Sequence, residues 1–156
     1  MLFRSVEYDF HARYDCKGKE YVYLIYNGKY RNPFYENKAL FYPFQLDAEM
    51  LNKEAKDFVG THDFSAFCSA GTEVQDKVRE IYDCTVTRNG DLVEIRVSGN
   101  GFLYNMVRII VGTLLDIQRE KIQKGSIPEI INSLDREKAG VTVDGCGLYL
   151  NKVFYN

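Results

Sequence analysis

Apolar and polar positions follow two different periods along this chain. In residues 77–87 and 92–98 they alternate in the manner of half-buried strands, and Arg88-Asn89-Gly90-Asp91 between them carries Asn-Gly, the strongest short hairpin signal. Residues 10–14 and 20–26 are β-branched and aromatic runs, with Tyr21, Tyr23 and Ile25 on one face of the second. Asp15-Cys16-Lys17-Gly18-Lys19 between them suits a hairpin turn, and residues 147–155 close the chain as a further strand. The helical period begins at Asp47, a candidate N-cap, with Met50, Leu51, Ala55, Phe58 and Val59 forming a stripe that ends at Gly60. Ser126-Ile127-Pro128-Glu129 has the form of a capping box opening a short helix through Ile130, Ile131 and Leu134. Residues 61–67 predict a loop anchored by Phe64 and Phe67, in which His62 and Asp63 are turn residues rather than half of a catalytic triad.

The stretch around which the rest is organised is residues 100–117, apolar on nearly every azimuth of a helix with one charge, Arg108, in its middle. Arg108 shares its face with Tyr104, Val111, Gly112 and Leu115, while Leu103, Met106, Ile110 and Leu114 lie opposite, so neither side is made for water. A guanidinium there needs a carboxylate, an anionic ligand or a wet cavity, because removing an ion from water costs on the order of several kcal/mol even after relaxation. The alternative is a structural arginine bonded to carbonyls or to a local acid such as Asp116. Gly112, one turn after the arginine, opens space for another backbone or a ligand. A membrane span is disfavoured, since the apolar run from Phe102 to Leu115 falls short of about 20 residues and already contains Asn105 and Arg108.

Strands and helices mix without repeats, which predicts one α+β domain over residues 1–156: an antiparallel or mixed sheet with helices packed on it and one buried central helix. The chain is 46% hydrophobic and 27% charged, an ordinary globular balance, and is long enough for one good core. Cys16, Cys68, Cys84 and Cys146 form no Cys-x-x-Cys and no zinc spacing, which suits unpaired thiols in a cytoplasmic protein. Ser98-Gly99-Asn100-Gly101 leads into the central helix but lacks the Lys-Ser/Thr ending of a phosphate loop and the third glycine of a dinucleotide fingerprint. The net charge of -2 gives no bulk case for nucleic acid. Its distribution does better, for residues 10–31 hold Arg13, Lys17, Lys19, Lys29 and Arg31 against Asp15 and Glu20, with His11 beside them. Eight of the twelve tyrosines also precede residue 43, where their rings serve strand packing or base stacking.

Three segments in order resemble one family, the tRNA pseudouridine synthases of the TruA type: Phe10-His11-Ala12-Arg13 leading to Lys19-Glu20-Tyr21-Val22-Tyr23-Leu24-Ile25-Tyr26-Asn27, then Met106-Val107-Arg108-Ile109-Ile110-Val111-Gly112, then Gly147-Leu148-Tyr149-Leu150. Asp63-Phe64-Ser65-Ala66-Phe67 adds to the resemblance, which covers nearly the whole chain. It implies isomerisation of uridine to pseudouridine in the tRNA anticodon stem-loop, without cofactor or metal. It also implies roles: Tyr21 stacks on the flipped base, Arg108 pairs with the nucleophilic aspartate, and Leu148 packs the base's other side. His11, Arg13, Lys17 and Lys19 are the candidate RNA contacts.

The family's nucleophile stands in an Arg-Thr-Asp-Ala-Gly motif upstream of the segment like residues 10–13, and this sequence holds no such motif. Asp144-Gly145-Cys146 also departs from the family's usual alanine and proline before Gly147. The expectation is therefore a C-terminal, cleft-contributing domain of a larger enzyme, inactive alone, whose partners are tRNA, the missing N-terminal domain and, as in the family, a second copy in a homodimer; the alternative is a non-catalytic RNA-binding or assembly domain of the same fold.

Overall fold

The computed structural model describes Ser5 and residues 8–155. Six strands form one mixed sheet: β1 (Gly18–Tyr26), β2 (Leu40–Phe41), β3 (Gly60–Asp63), β4 (Val78–Asn89), β5 (Leu92–Gly99) and β6 (Leu148–Phe154). Their order is β2-β1-β5-β4-β3, with β6 pairing along the same side of β1 that β2 joins further on. Three helices, α1 (Ala48–Ala55), α2 (Met106–Gln118) and α3 (Ile127–Ser133), complete the predicted α+β class.

The sheet is two-faced because side chains alternate across the pleat. Tyr23 and Ile25 of β1, Val93, Ile95 and Val97 of β5 and Ile81, Cys84 and Val86 of β4 join the helices in one hydrophobic core. The other face is polar along β5. There Arg96 pairs with Glu94 and, at 2.9 Å, with the buried Glu20, whose same oxygen accepts Asn151 Nδ2 at 2.6 Å.

The sheet hairpin turns at Gly90, whose φ of +61° is the left-handed conformation an Asn-Gly turn requires. Asp47 caps α1 by accepting Met50 N at 3.0 Å. The central helix is as buried as its sequence demands: eleven of its thirteen residues are inaccessible, the exceptions being Arg108 and Gln118. It starts later than the hydrophobic run predicts, because Asn105 takes a left-handed conformation (φ 60°, ψ 12°) and residues 100–105 approach it as irregular chain.

Several local expectations fail. Residues 10–14 form turns instead of a strand, since the His11 ring accepts the amides of Arg13 and Tyr14 and Asp15 accepts the amide of His11. With no strand there, residues 15–19 are no hairpin, and β1 pairs instead with β5 and β6, which follow it by dozens of residues. Residues 61–67, expected as a loop, supply β3 and a 3₁₀ turn at Ser65–Phe67. His62 and Asp63 nevertheless behave as local structure: the ring meets Val59 O at 3.1 Å, and the carboxylate accepts Ser65 N at 3.0 Å. The capping box at Ser126 is not made. Its hydroxyl bonds Gln123 O at 2.5 Å, and α3 ends one residue before Leu134, a left-handed C-cap that is 52% exposed. No helix is long and apolar enough to cross a membrane among the described residues.

Candidate active site

Arg108 lies one turn into α2 and is only partly covered. Its Nε donates to Val143 O at 2.7 Å and its Nη1 to Asn105 Oδ1 at 3.1 Å. The left-handed turn at Asn105 sets that amide below the guanidinium, and Asn105 Nδ2 is itself held by Ser69 Oγ at 3.1 Å. Among the described residues Arg108 makes no salt bridge; the ion pairs are Lys56 with Asp83 and Arg96 with Glu20 and Glu94. Asp116, the local acid of the structural alternative, accepts Val141 N at 3.2 Å instead. Among the described residues no acceptor takes the Nη2 donors, which leaves them for a ligand or another side chain.

What holds Arg108 is a strap, residues 139–147, lying across α2. Gly112 permits the crossing: a Cβ there would stand 1.7 Å from Val141 O. Gly140 is also too tight for a side chain, its missing Cβ falling 2.5 Å from Thr113 Cα. Two buried side chains of α2 pin the strap, Thr113 Oγ1 accepting Gly140 N at 2.9 Å and Asp116 Oδ2 accepting Val141 N. Arg136 binds it from outside through Gly140 O at 2.8 Å and Thr142 Oγ1 at 3.1 Å. Backbone groups near α2 are thereby paired before the strap reaches Val143, so the carbonyl that orients Arg108 is fixed.

β1 supplies the neighbouring wall. Tyr23 is fully buried, and its hydroxyl donates to Asp144 O at 2.5 Å, tying the sheet to the strap. Burial, with the nearby Cys146 and Asp144 adding to it, pushes the Tyr23 phenol well above its usual range, so it remains a donor. The Asp144 carboxyl lies below the ordinary carboxylate range because it accepts Cys146 N, at 2.7 Å, with a smaller contribution from Arg108. The Cys146 thiol is raised by burial and by Asp144.

Tyr21 shares the Tyr23 face of β1, half-buried, edge-on to Phe102 with ring centroids 5.1 Å apart. Leu148 is the register partner of Tyr23 and Leu150 that of Tyr21, which puts both leucines on that face. Leu148 thus lies across from Tyr23, with Tyr21 next along that face, and Arg108 holds the strap at Val143 O one residue before the Asp144 O that Tyr23 holds; Leu150 and Tyr104 are exposed. Lys19 belongs to the same face, two residues before Tyr21. His11, Arg13 and Lys17 do not join it: they are exposed in the turns before β1, at the end of the β1–β6 pairing away from Leu148. Sequence reasoning missed Asn105, the strap and the anchoring role of Tyr23. Only Asn105 left a signal, three residues before Arg108 on the same side of the helix.

These residues offer a free, half-buried guanidinium, an edge-held tyrosine and an aliphatic wall, a set suited to orienting a carboxylate beside a flat ring. The family model described as tRNA pseudouridine synthase matches residues 55–156, a span that includes Arg108 and Leu148. The chain belongs to the tRNA pseudouridine synthase family. Relatives named tRNA pseudouridine synthase A from Caldicellulosiruptor saccharolyticus and Acetivibrio thermocellus are 47% and 45% identical to it, each match covering 97% of this chain and 62% of the relative. The relative of that name from Bacillus subtilis is 46% identical, over 94% of this chain and 60% of its own length. The chain spans about three fifths of the length of these tRNA pseudouridine synthases.

Proposed function

We propose that these residues form the C-terminal, cleft-contributing domain of a tRNA pseudouridine synthase that isomerises uridine in the anticodon stem-loop, in the cytoplasm. The observation that carries this reading is Arg108: a half-buried cation that two neutral acceptors hold in place, with donors to spare and no carboxylate bound among the described residues. An aspartate from an N-terminal domain would complete the pair, kept ionised and oriented by the guanidinium. That aspartate attacks the target uridine, and the base detaches, turns and rejoins through carbon, with no cofactor or metal required. Tyr21 stacks on the flipped uracil and Leu148 closes its other side, excluding water from the exchange. Lys19 extends the same face towards the RNA backbone, while His11, Arg13 and Lys17 meet phosphates further out. The full protein pairs as a homodimer on tRNA.

The test is expression of the reading frame that contains this chain together with its upstream sequence, incubation with unmodified tRNA, and mass spectrometry after carbodiimide labelling. The longer product is expected to form pseudouridine, Arg108→Met to abolish turnover while tRNA binding persists, and residues 1–156 alone to form none. Robust turnover by the isolated chain would overturn the assignment of the nucleophile to another domain.

A further inference from the structure

Asn105 breaks two local rules at the start of α2. An asparagine at the N-cap ordinarily turns its side chain back to accept a free amide of the first turn, yet Asn105 makes no such cap. It also holds a left-handed backbone (φ 60°, ψ 12°), which glycine adopts more readily than any residue with a side chain. Its side-chain oxygen instead accepts Arg108 Nη1 at 3.1 Å, and its amide nitrogen donates to Ser69 Oγ at 3.1 Å. Ser69 is itself fixed. Its N–H donates to Tyr104 O at 3.1 Å, and the residues before it, Phe64, Ala66, Phe67 and Cys68, are buried in the core.

Resting on the reading of Arg108 as the partner of a nucleophilic carboxylate, we propose that Asn105 is a positioning residue for that reaction and that it has to be neutral. Asn105 Oδ1 takes Nη1 of the guanidinium and Val143 O takes Nε. A planar group held at two of its three nitrogens cannot turn, so the direction of the Nη2 donors is set before any anion arrives. An aspartate in place of Asn105 would fill the same space and bind Nη1 more strongly, but it would also neutralise the cation on which the incoming carboxylate depends. The titratable groups on the strap and on β1 leave that charge available. Asp144 Oδ1 accepts Cys146 N at 2.7 Å, burial raises the Cys146 thiol, and the Tyr23 hydroxyl donates to Asp144 O.

The turn alone offers a simpler reason for Asn105. Met106 N donates to Leu103 O at 3.1 Å across it, and asparagine is among the few residues with a side chain that tolerate a left-handed position there. Glycine separates the two readings, because it satisfies the turn at least as well and offers Arg108 no acceptor.

The experiment measures pseudouridine formation by the longer product and its variants across pH, beside their urea denaturation. Asn105→Gly should be at least as stable as the parent yet lose roughly tenfold to a hundredfold in kcat, the scale of a slightly misplaced catalytic group, with KM for tRNA little changed. Asn105→Asp should lose as much. The acid limb of its kcat profile should also move up by about one pH unit, since the nucleophile then ionises beside a second carboxylate that shares its cation. In the isolated chain, nitrogen-15 NMR of the Arg108 side chain should show separate Nη signals in the parent that merge in Asn105→Gly. Full turnover by Asn105→Gly, or an Asn105→Asp profile that does not move, would overturn the proposal and leave Asn105 to the turn alone. Nη signals unaltered by Asn105→Gly would overturn the orienting role. A longer parent that forms no pseudouridine would instead overturn the proposed reaction, and with it any part for Asn105 in it.

Discussion

One face of the sheet is finished at its centre and open at its edge. Along β5, Val93, Ile95 and Val97 are fully inaccessible beneath the helices, while along β6, on the same face, Leu148 is half-buried and Leu150 is 52% exposed. The strand pattern is the same in both places; only the cover differs. Phe102, half-buried against Tyr21, which pairs with Leu150, extends that uncovered surface. Contiguous exposed apolar surface of this kind marks an interaction site, and its link through Tyr23 and the strap to a cation that keeps free donors distinguishes it from scattered surface leucines. The centre of the sheet is therefore scaffold, and its edge is the part that waits for something else.

The strongest way to break this comparison is to truncate the same kind of side chain in both regions. Ile95→Ala should cost about 2 to 5 kcal/mol, the transfer term plus a cavity between sheet and α2. Leu150→Ala should change stability by no more than about 0.5 kcal/mol, as an exposed position does. Urea denaturation of the two variants separates them directly. A large loss at Leu150 would mean that the edge is already part of the core.

Glycines sharpen the comparison at smaller scale. Gly112→Ala gains about 1 kcal/mol of helix propensity, yet it drives a methyl into Val141 O, so the strap must lift from α2. The net loss should be about 2 kcal/mol, within the usual range for overpacking. Gly145→Ala, whose Cβ would make an ordinary 3.8 Å contact with Arg108, should be nearly neutral in the same denaturation measurement. Equal effects at the two positions would remove the distinction between a clamped stem of the strap and an open tip.

How much of this was legible in the sequence follows the same division. Burial of α2, the Asn-Gly hairpin and the Asp47 cap are local patterns, and each is present. The α+β class followed from them. Residues 10–14 and 61–67 were misread because composition alone decided them, whereas the pairing of β3 with β4 and of β1 with β6 depends on partners far along the chain. The grouping of Tyr21, Leu148 and Arg108 was available only through family resemblance. Their separation by 87 and 40 positions in the chain hides the link that Tyr23 and the strap create. Thr113 and Asp116 gave no sign of pinning that strap, since a polar residue on a buried helix does not announce which backbone amide it will meet.

Arg108→Met gives the smallest expected change in stability and bears most directly on the open edge. In this chain the substitution deprives Val143 O and Asn105 Oδ1 of their donor, a loss of about 1 kcal/mol for each neutral acceptor that water cannot reach. It also removes a partly desolvated charge that forms no salt bridge among the described residues and only a minor interaction with the Asp144 carboxylate, and that relief offsets much of the loss. The balance should fall within about ±1 kcal/mol, because the Arg108 corner is only half covered and water can take over at Asn105. Breaking a complete buried ion pair would instead cost about 3 to 5 kcal/mol. Denaturation of the isolated chain reads the difference between these cases. A loss in the upper range would mean that Arg108 already has its anion and that the edge is closed, whereas a near-neutral result, with turnover lost in the longer product, places its partner outside residues 1–156.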